Sequence, residues 1–188
     1  MQFNGFKVAN GTIVDATIIH SPSSTKNQDG TRDPDAHQTK KGNQWYFGMK
    51  MHIGVDSKTK LIHSVAVTAA NVHDSQLIPD LLHGAETRVW GDSAYAGQQS
   101  AMRSAAPKAR DFTQRKGSRH VELSAADKAS NRSKARVRAR VEHVFGFIKR
   151  IFGYTKTRYR GLDKNAHVMF VTSALANLFI ARRQLLRA

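Results

Sequence analysis

The sequence predicts an α/β fold with a mixed β-sheet flanked by helices, on three observations. Runs of β-branched and apolar residues stand at 11–20, 45–55 and 61–70, and patterns of helical period stand at 131–152 and 165–187. The two kinds of segment interleave along the chain instead of falling into separate blocks, which favours strands and helices packed in layers. A chain of 188 residues, 40% of them hydrophobic, has enough apolar material for one core, so a single domain spanning residues 1–188 is expected.

Each element has its own signal. GTIVDATIIH, residues 11–20, reads as a strand that is apolar on both faces with Asp15 at its centre. A long polar loop is expected from about 21 to 44. In WYFGMKMHIGV, residues 45–55, Met49, Met51, Ile53 and Val55 fall on one face, and after the turn DSKTK the run LIHSVAVTAA returns, giving an antiparallel hairpin over 45–70. His73 and Asp74 offer capping atoms to a short helix in SQLIPDLLHGA, in which Pro79 either makes a kink or marks the start. TRVWGDSAYAG contributes a brief buried strand ending at Asp92, QQSAMRSAA a helix and ARDFTQR a last strand. Residues 116–134 read as a solvated connection turning helical near Ser124. Val137, Val141, Val144, Phe145, Ile148 and Phe152 then form one apolar stripe on a long helix, and residues 165–187 form a second amphipathic helix that covers the sheet.

Thirty lysines and arginines against fourteen acids leave a formal charge of +16, an imbalance that polyphosphate backbones commonly neutralise, so nucleic acid is the expected partner. The absence of cysteine excludes disulfides, zinc-thiolate centres and thiol nucleophiles. No apolar run reaches the ~18 to 20 residues of a membrane span, and MQFNGFKVAN lacks the pattern of a signal peptide. A soluble intracellular protein is expected. The first long strand begins so close to Met1 that little room is left for a separate N-terminal module.

Three acids suggest chemistry. An Asp in an apolar strand is costly as a lone buried charge, so Asp15 calls for a partner or a metal. Asp92 lies where a strand gives way to a turn, at the sheet edge where α/β clefts form. Glu142 is a lone acid in the basic helix RVRARVEHVFGFIKR. Three carboxylates on three elements suit the oxygen coordination of Mg²⁺. Each also has a plainer explanation: a satisfied strand Asp, a turn residue and a helical ion pair. At ~100° per residue Arg138, Glu142 and Lys149 project within about 40° of one another beside the apolar stripe, whereas Arg132, Arg136, Arg140, His143 and Arg150 point to the opposite side. That outer face is equally a solubility face or a DNA-contacting one. In the polar loop, Arg32, Lys40, Lys41, Trp45 and Tyr46 suit contact with a DNA strand, with Trp45 either stacking on a base or joining the core. Asp56 reads as turn chemistry and Asp74 as a helix cap, both ranking below the three acids; Asn71 and His73 read as caps or as supports of the site.

GTIVDATII followed by PSSTKN, then DGTRDPDAHQTKKGNQWYFGMKMHIGVD, ANVHDS, WGDSAY and the basic helix together resemble the DDE transposases of bacterial insertion sequences, in the branch related to insertion sequences four and five. The resemblance runs from about residue 8 to 180. In the family's helix signature of Tyr, Arg, Glu and Lys, the last three match Arg138, Glu142 and Lys149, while Ala135 stands at the Tyr position. The resemblance implies a ribonuclease-H-like fold in which Asp15, Asp92 and Glu142 hold two Mg²⁺ or Mn²⁺ ions. It implies cleavage of phosphodiester bonds at transposon ends and strand transfer into target DNA, with Arg138 and Lys149 on phosphates. It implies a homo-oligomer working on terminal inverted repeats and target DNA in the bacterial cytoplasm, at the nucleoid. Family members normally carry a further N-terminal region, so the sequence corresponds to the catalytic portion. A DNA-binding remnant that no longer cuts, and a ribonuclease-H-like nuclease unrelated to mobility, stand as alternatives.

Overall fold

A computed structural model of the protein describes residues 2–3, 6–118 and 122–187, with side chains from residue 8 onward. A short N-terminal backbone hairpin, β1 (Gln2–Phe3) with β2 (Phe6–Lys7), precedes the sheet and has no counterpart among the expected elements. The sheet has six strands: β3 (Gly11–His20), β4 (His37–Lys41), β5 (Gln44–Asp56), β6 (Ile62–Ala69), β7 (Arg88–Trp90) and β8 (Arg110–Asp111). Their order is β4-β5-β3-β7-β8, with β6 also paired to β5; β3, β4 and β6 run antiparallel to β5, and β3, β7 and β8 are mutually parallel neighbours. The helices are α1 (Ile78–Leu81), α2 (Gln99–Ala105), α3 (Ala125–Gly146) and α4 (Leu162–Leu185). This is the expected mixed α/β architecture, a six-stranded sheet with helices on both faces, consistent with a ribonuclease-H-like fold.

Strand alternation builds two cores. Ile13, Ile19, Met49, Met51 and Ile53 pack against Val141, Val144, Phe145 and Ile148 at the end of α3 and against Met169 and Ala176 of α4. Val14 and Val89 face the other way, onto Ile78, Leu81, Tyr95 and Met102. α4 is also pinned at the sheet edge, where the Asn177 amide accepts from Ile62 N at 2.8 Å and donates to Ile62 O at 2.7 Å.

Three boundaries differ from expectation. The loop expected over about 21–44 ends early, because His37–Lys41 pair with Gln44–Gly48 and make β4; its polar composition hid a strand that lies largely in solvent. α3 begins at Ala125, in keeping with the expected turn to helix near Ser124 and ahead of the periodic pattern that starts at 131. Its first turns carry no apolar stripe and are held instead by Ser124, whose hydroxyl accepts Asp127 N at 3.0 Å, and by the Arg115–Asp127 pair at 2.7 Å. At the far end, Phe147–Ile151 form a π turn. α4 begins at Leu162, three residues before the expected start. Pro79 marks the first turn of α1, and His73, not Asp74, is the cap of the preceding 3₁₀ turn. Residues 119–121, inside the connection expected over 116–134, lie outside the described residues.

Candidate active site

β7 pairs with β3 only through Gly11, Thr12 and Ile13. Between Ile13 and His20, which bridges to Lys156, no strand pairs this edge of β3 among the described residues, and β7 delivers the chain to Asp92 at the carboxyl end of the parallel pair, where α/β sheets place their ligand clefts. A cleft of about 920 Å³ lies there, walled by Asp15–Ile18 of β3 and by the end of α3, and floored at one side by Asp92. Asp15, Asp92 and Glu142 all line it. The three elements expected to carry the acids therefore bring them to one place.

Asp15 projects from the α3 side of β3, because it shares the parity of Ile13 and Ile19. It is 8% exposed. Its Oδ1 accepts Ala16 N at 2.9 Å, and its Oδ2 accepts from Arg138 Nη1 at 2.9 Å. Burial pushes its pKa up to about 6; Arg138 and the Ala16 N–H oppose the rise, while Asp92 and Glu142 add to it. Asp92 is also the turn residue of the plainer explanation, since its Oδ1 accepts Ala94 N at 2.8 Å and caps the 3₁₀ turn Ser93–Tyr95. Capping fixes the carboxylate without removing it from the cleft.

For Glu142 the ion-pair explanation holds only as a long, exposed contact. Arg138 lies 4.0 Å from it, the Glu side chain is 64% exposed, and the guanidinium spends its good hydrogen bond on Asp15 instead. Arg138 thus links α3 to β3 beneath the acids. Lys149 completes the row expected on the helix: its Nζ donates to Ile18 O at 3.1 Å, satisfying part of the open β3 edge. Burial, with Lys41 next, lowers its pKa, and Glu142 opposes.

Two residues assigned to the opposite helical face, His143 and Arg150, line the cleft as well. Arg150 sits in the π turn, whose wider winding shifts it from its α-helical direction. The cleft is broad enough to take in His143, one row beyond Glu142. Arg140, also assigned outward, donates to Ser57 O and so ties α3 to the β5–β6 turn, while Arg136 is exposed as expected. Lys40 and Lys41 reach the cleft from β4. Trp45 is not core: it is 64% exposed, and Lys40 Nζ stands 6.0 Å above its ring across the β4–β5 pair.

Lys50 and Asp74, joined at 2.8 Å, also border the cleft. The period of β5 shows which face Lys50 takes but not that this face meets the cleft at an open edge. Asp56 is turn chemistry as expected, receiving Lys58 N and Thr59 N at 2.7 Å each.

Residues 7–178 match the family described as Transposase DDE domain. The chain belongs to that family. Transposase function in general, action on DNA and general use of divalent metals follow from membership. No solved structure matches the chain. The cleft of this transposase domain fits a divalent cation: its acidic donors are all oxygens, and the mutual repulsion that helps raise Asp15 is what a cation would relieve. Among the described residues, no helix is long and apolar enough to cross a membrane.

Proposed function

We propose that the domain cleaves phosphodiester bonds at transposon ends and transfers the freed strand to target DNA, with Asp15, Asp92 and Glu142 as the metal-holding carboxylates. The observation that carries this is the convergence of Asp15 from β3, Asp92 from the β7 end and Glu142 from α3 in a cleft whose remaining charged lining, apart from the Lys50–Asp74 pair, is Lys40, Lys41, Arg138, Lys149 and Arg150. A purely DNA-binding surface gains nothing from three acids in a positive field. One or, more consistently with three shared carboxylates, two Mg²⁺ or Mn²⁺ ions would supply activation of the attacking water or 3′ hydroxyl and stabilisation of the leaving oxygen.

The chain's own groups do the rest. Arg138 holds Asp15 in place through its 2.9 Å bond, and Glu142 closes the acid set from the helix. Lys149, Arg150 and Lys41 stand ready for phosphate oxygens next to the acids. The Lys40–Trp45 pair at the exposed end of the hairpin offers a ring for an unstacked base, and Arg136 and Arg140 extend the positive face along α3. The terminal inverted repeats and target DNA are the partners, a homo-oligomer on paired ends the working unit, and the bacterial nucleoid the place.

The test is nicking of supercoiled and linear inverted-repeat DNA by the purified chain with Mg²⁺, with Mn²⁺ and with chelator. Metal-dependent nicking is expected. Salt-sensitive binding with no nicking under any condition would instead identify a remnant. Trp45→Ala is expected to weaken binding to DNA with unpaired ends by the ~1 to 3 kcal/mol typical of one stacked base while leaving Tm unchanged, because the ring is largely in solvent. Lys41→Ala is expected to flatten the dependence of log K on log salt by about one unit if the residue sits on a phosphate, read by fluorescence anisotropy across a salt series.

A further inference from the structure

A second cluster of ligand-type side chains lies at the opposite end of β3 from the cleft. His63 stands at the start of β6, His83 and Glu86 in the segment joining α1 to β7, and one ligand atom from each falls within 4.8 Å of the others. Glu86 is fully buried. Its Oε1 accepts His83 N at 2.7 Å and the Thr12 hydroxyl at 3.1 Å, and its Oε2 accepts Gly84 N at 2.8 Å. Within ion-pair distance it has only the His83 ring, Nε2 at 3.4 Å, among the described residues. The two rings meet edge to face at 4.9 Å.

We propose that His63, His83 and Glu86 bind one transition-metal ion of the Zn²⁺ class. Two imidazole nitrogens and a carboxylate oxygen are the borderline donors that Zn²⁺ takes in preference to Mg²⁺, whereas the acid cleft offers oxygens and suits the hard ion. The chain would thus sort two metals between two sites. The supports for the imidazoles are in place. Ser64 Oγ, 2.9 Å from His63 Nδ1, is placed to accept the Nδ1 proton once Nε2 turns its lone pair to an ion. Ala85 N donates to His83 Nδ1 over a long 3.3 Å, a bond that gives way when that nitrogen carries the proton; His83 is exposed, so water replaces it and also fills the fourth metal position. Without an ion the Thr12 hydroxyl donates to Glu86 Oε1 and accepts from His63 Nε2 at 3.0 Å; metal binding would shift that ring proton to Nδ1 while Thr12 keeps its bond to Glu86.

Such an ion would tie β6 to the segment that runs directly into β7 and Asp92. Its consequence is therefore stability of the cleft's approach, not a step in the chemistry. The inference is independent of strand cleavage and stands or falls without it.

The test uses the untagged full chain, stripped of metal and kept in excess Mg²⁺, titrated with ZnCl₂ by calorimetry and with Co²⁺ by visible absorption. One saturable Zn²⁺ equivalent is expected, with four-coordinate Co²⁺ bands, and it should persist in Asp92→Asn. Tm should rise by roughly 5 to 10 °C at free Zn²⁺ about a hundredfold above Kd. His83→Ala, checked for native circular dichroism, should bind at least about a hundredfold more weakly, beyond the loss typical of an outer-shell group, and its Tm should ignore Zn²⁺. Absence of a saturable equivalent overturns the proposal. So does undiminished binding by His83→Ala, or loss of the equivalent in Asp92→Asn, which would move the ion to the acid cleft.

Discussion

Asp92→Asn, Asp15→Asn and Glu142→Gln are each expected to lower metal-dependent nicking by more than about a hundredfold, beyond the ten- to hundredfold typical of outer-shell partners of a metal. Affinity for uncleaved DNA in chelator should stay level or rise, because each change removes a negative charge facing a polyanion. A variant that lost cutting merely by unfolding would lose both. The stabilities separate the three further. Glu142 is mostly exposed, so Glu142→Gln should leave Tm within about 1 °C. Asp15 behaves otherwise: its carboxyl titrates at about 6 when folded, against an ordinary value of 3.8, so ionisation is disfavoured in the folded state. The sign follows from that rise. Stability linked to Asp15 is fully present below its unfolded pKa and is lost as pH climbs through about 6. At pH 7 in chelator, Asp15→Asn should therefore unfold at higher temperature than wild type by the equivalent of about 1 to 3 kcal/mol. Equal nicking by wild type and all three variants would remove the acids from the chemistry.

How far the sequence reveals this site differs from residue to residue. Asp15 is legible because an acid interrupting an apolar strand is costly without a partner, and the partner is Arg138, 123 positions away. The row of Arg138, Glu142 and Lys149 is legible because helical angles are fixed by the backbone. The same angles misplace Arg150, since nothing in FIKRI announces a π turn. They also say nothing of what Arg140 meets, because the Ser57 carbonyl is brought there by tertiary packing. Trp45 is undecidable from sequence: a strand-start aromatic gives no sign of which hairpin end projects from the sheet. Lys50, Asp74 and the His63–His83–Glu86 cluster escape notice for a common reason. Each joins residues of separate elements, Lys50 of β5 with the turn after β6 and His63 of β6 with the segment between α1 and β7, that only tertiary packing brings together.

Gly48→Ala is expected to cost more than about 3 kcal/mol, above the usual 1 to 3 for overpacking, or to prevent folding. Gly48 sits where β5 pairs with His20 of β3 on one side and His37 of β4 on the other. A Cβ there would stand 2.1 Å from Ile19 O, 3.0 Å from Ser21 N and 3.1 Å from His20 Cα, all main-chain atoms. No side chain can swing aside to make room. Relief requires β3 to move away from β5, and the end of β3 that moves carries Ile18 O, the acceptor of Lys149, and leads back to Asp15. The damage should accordingly reach the cleft: any folded fraction should show weakened metal-dependent nicking, with DNA affinity reduced less. Gly146→Ala supplies the opposite sign. Gly146 lies within α3 with ordinary helical φ of −59°, and an added Cβ would meet nothing within 4 Å. Removing glycine's conformational freedom from a helix interior should stabilise by about 0.5 to 1 kcal/mol. Urea titrations of both variants beside wild type decide the matter, through midpoints shifted in opposite directions at similar m-values. A Gly48→Ala midpoint equal to that of wild type would mean that β3 and β5 are not held at the spacing on which the position of Asp15 depends.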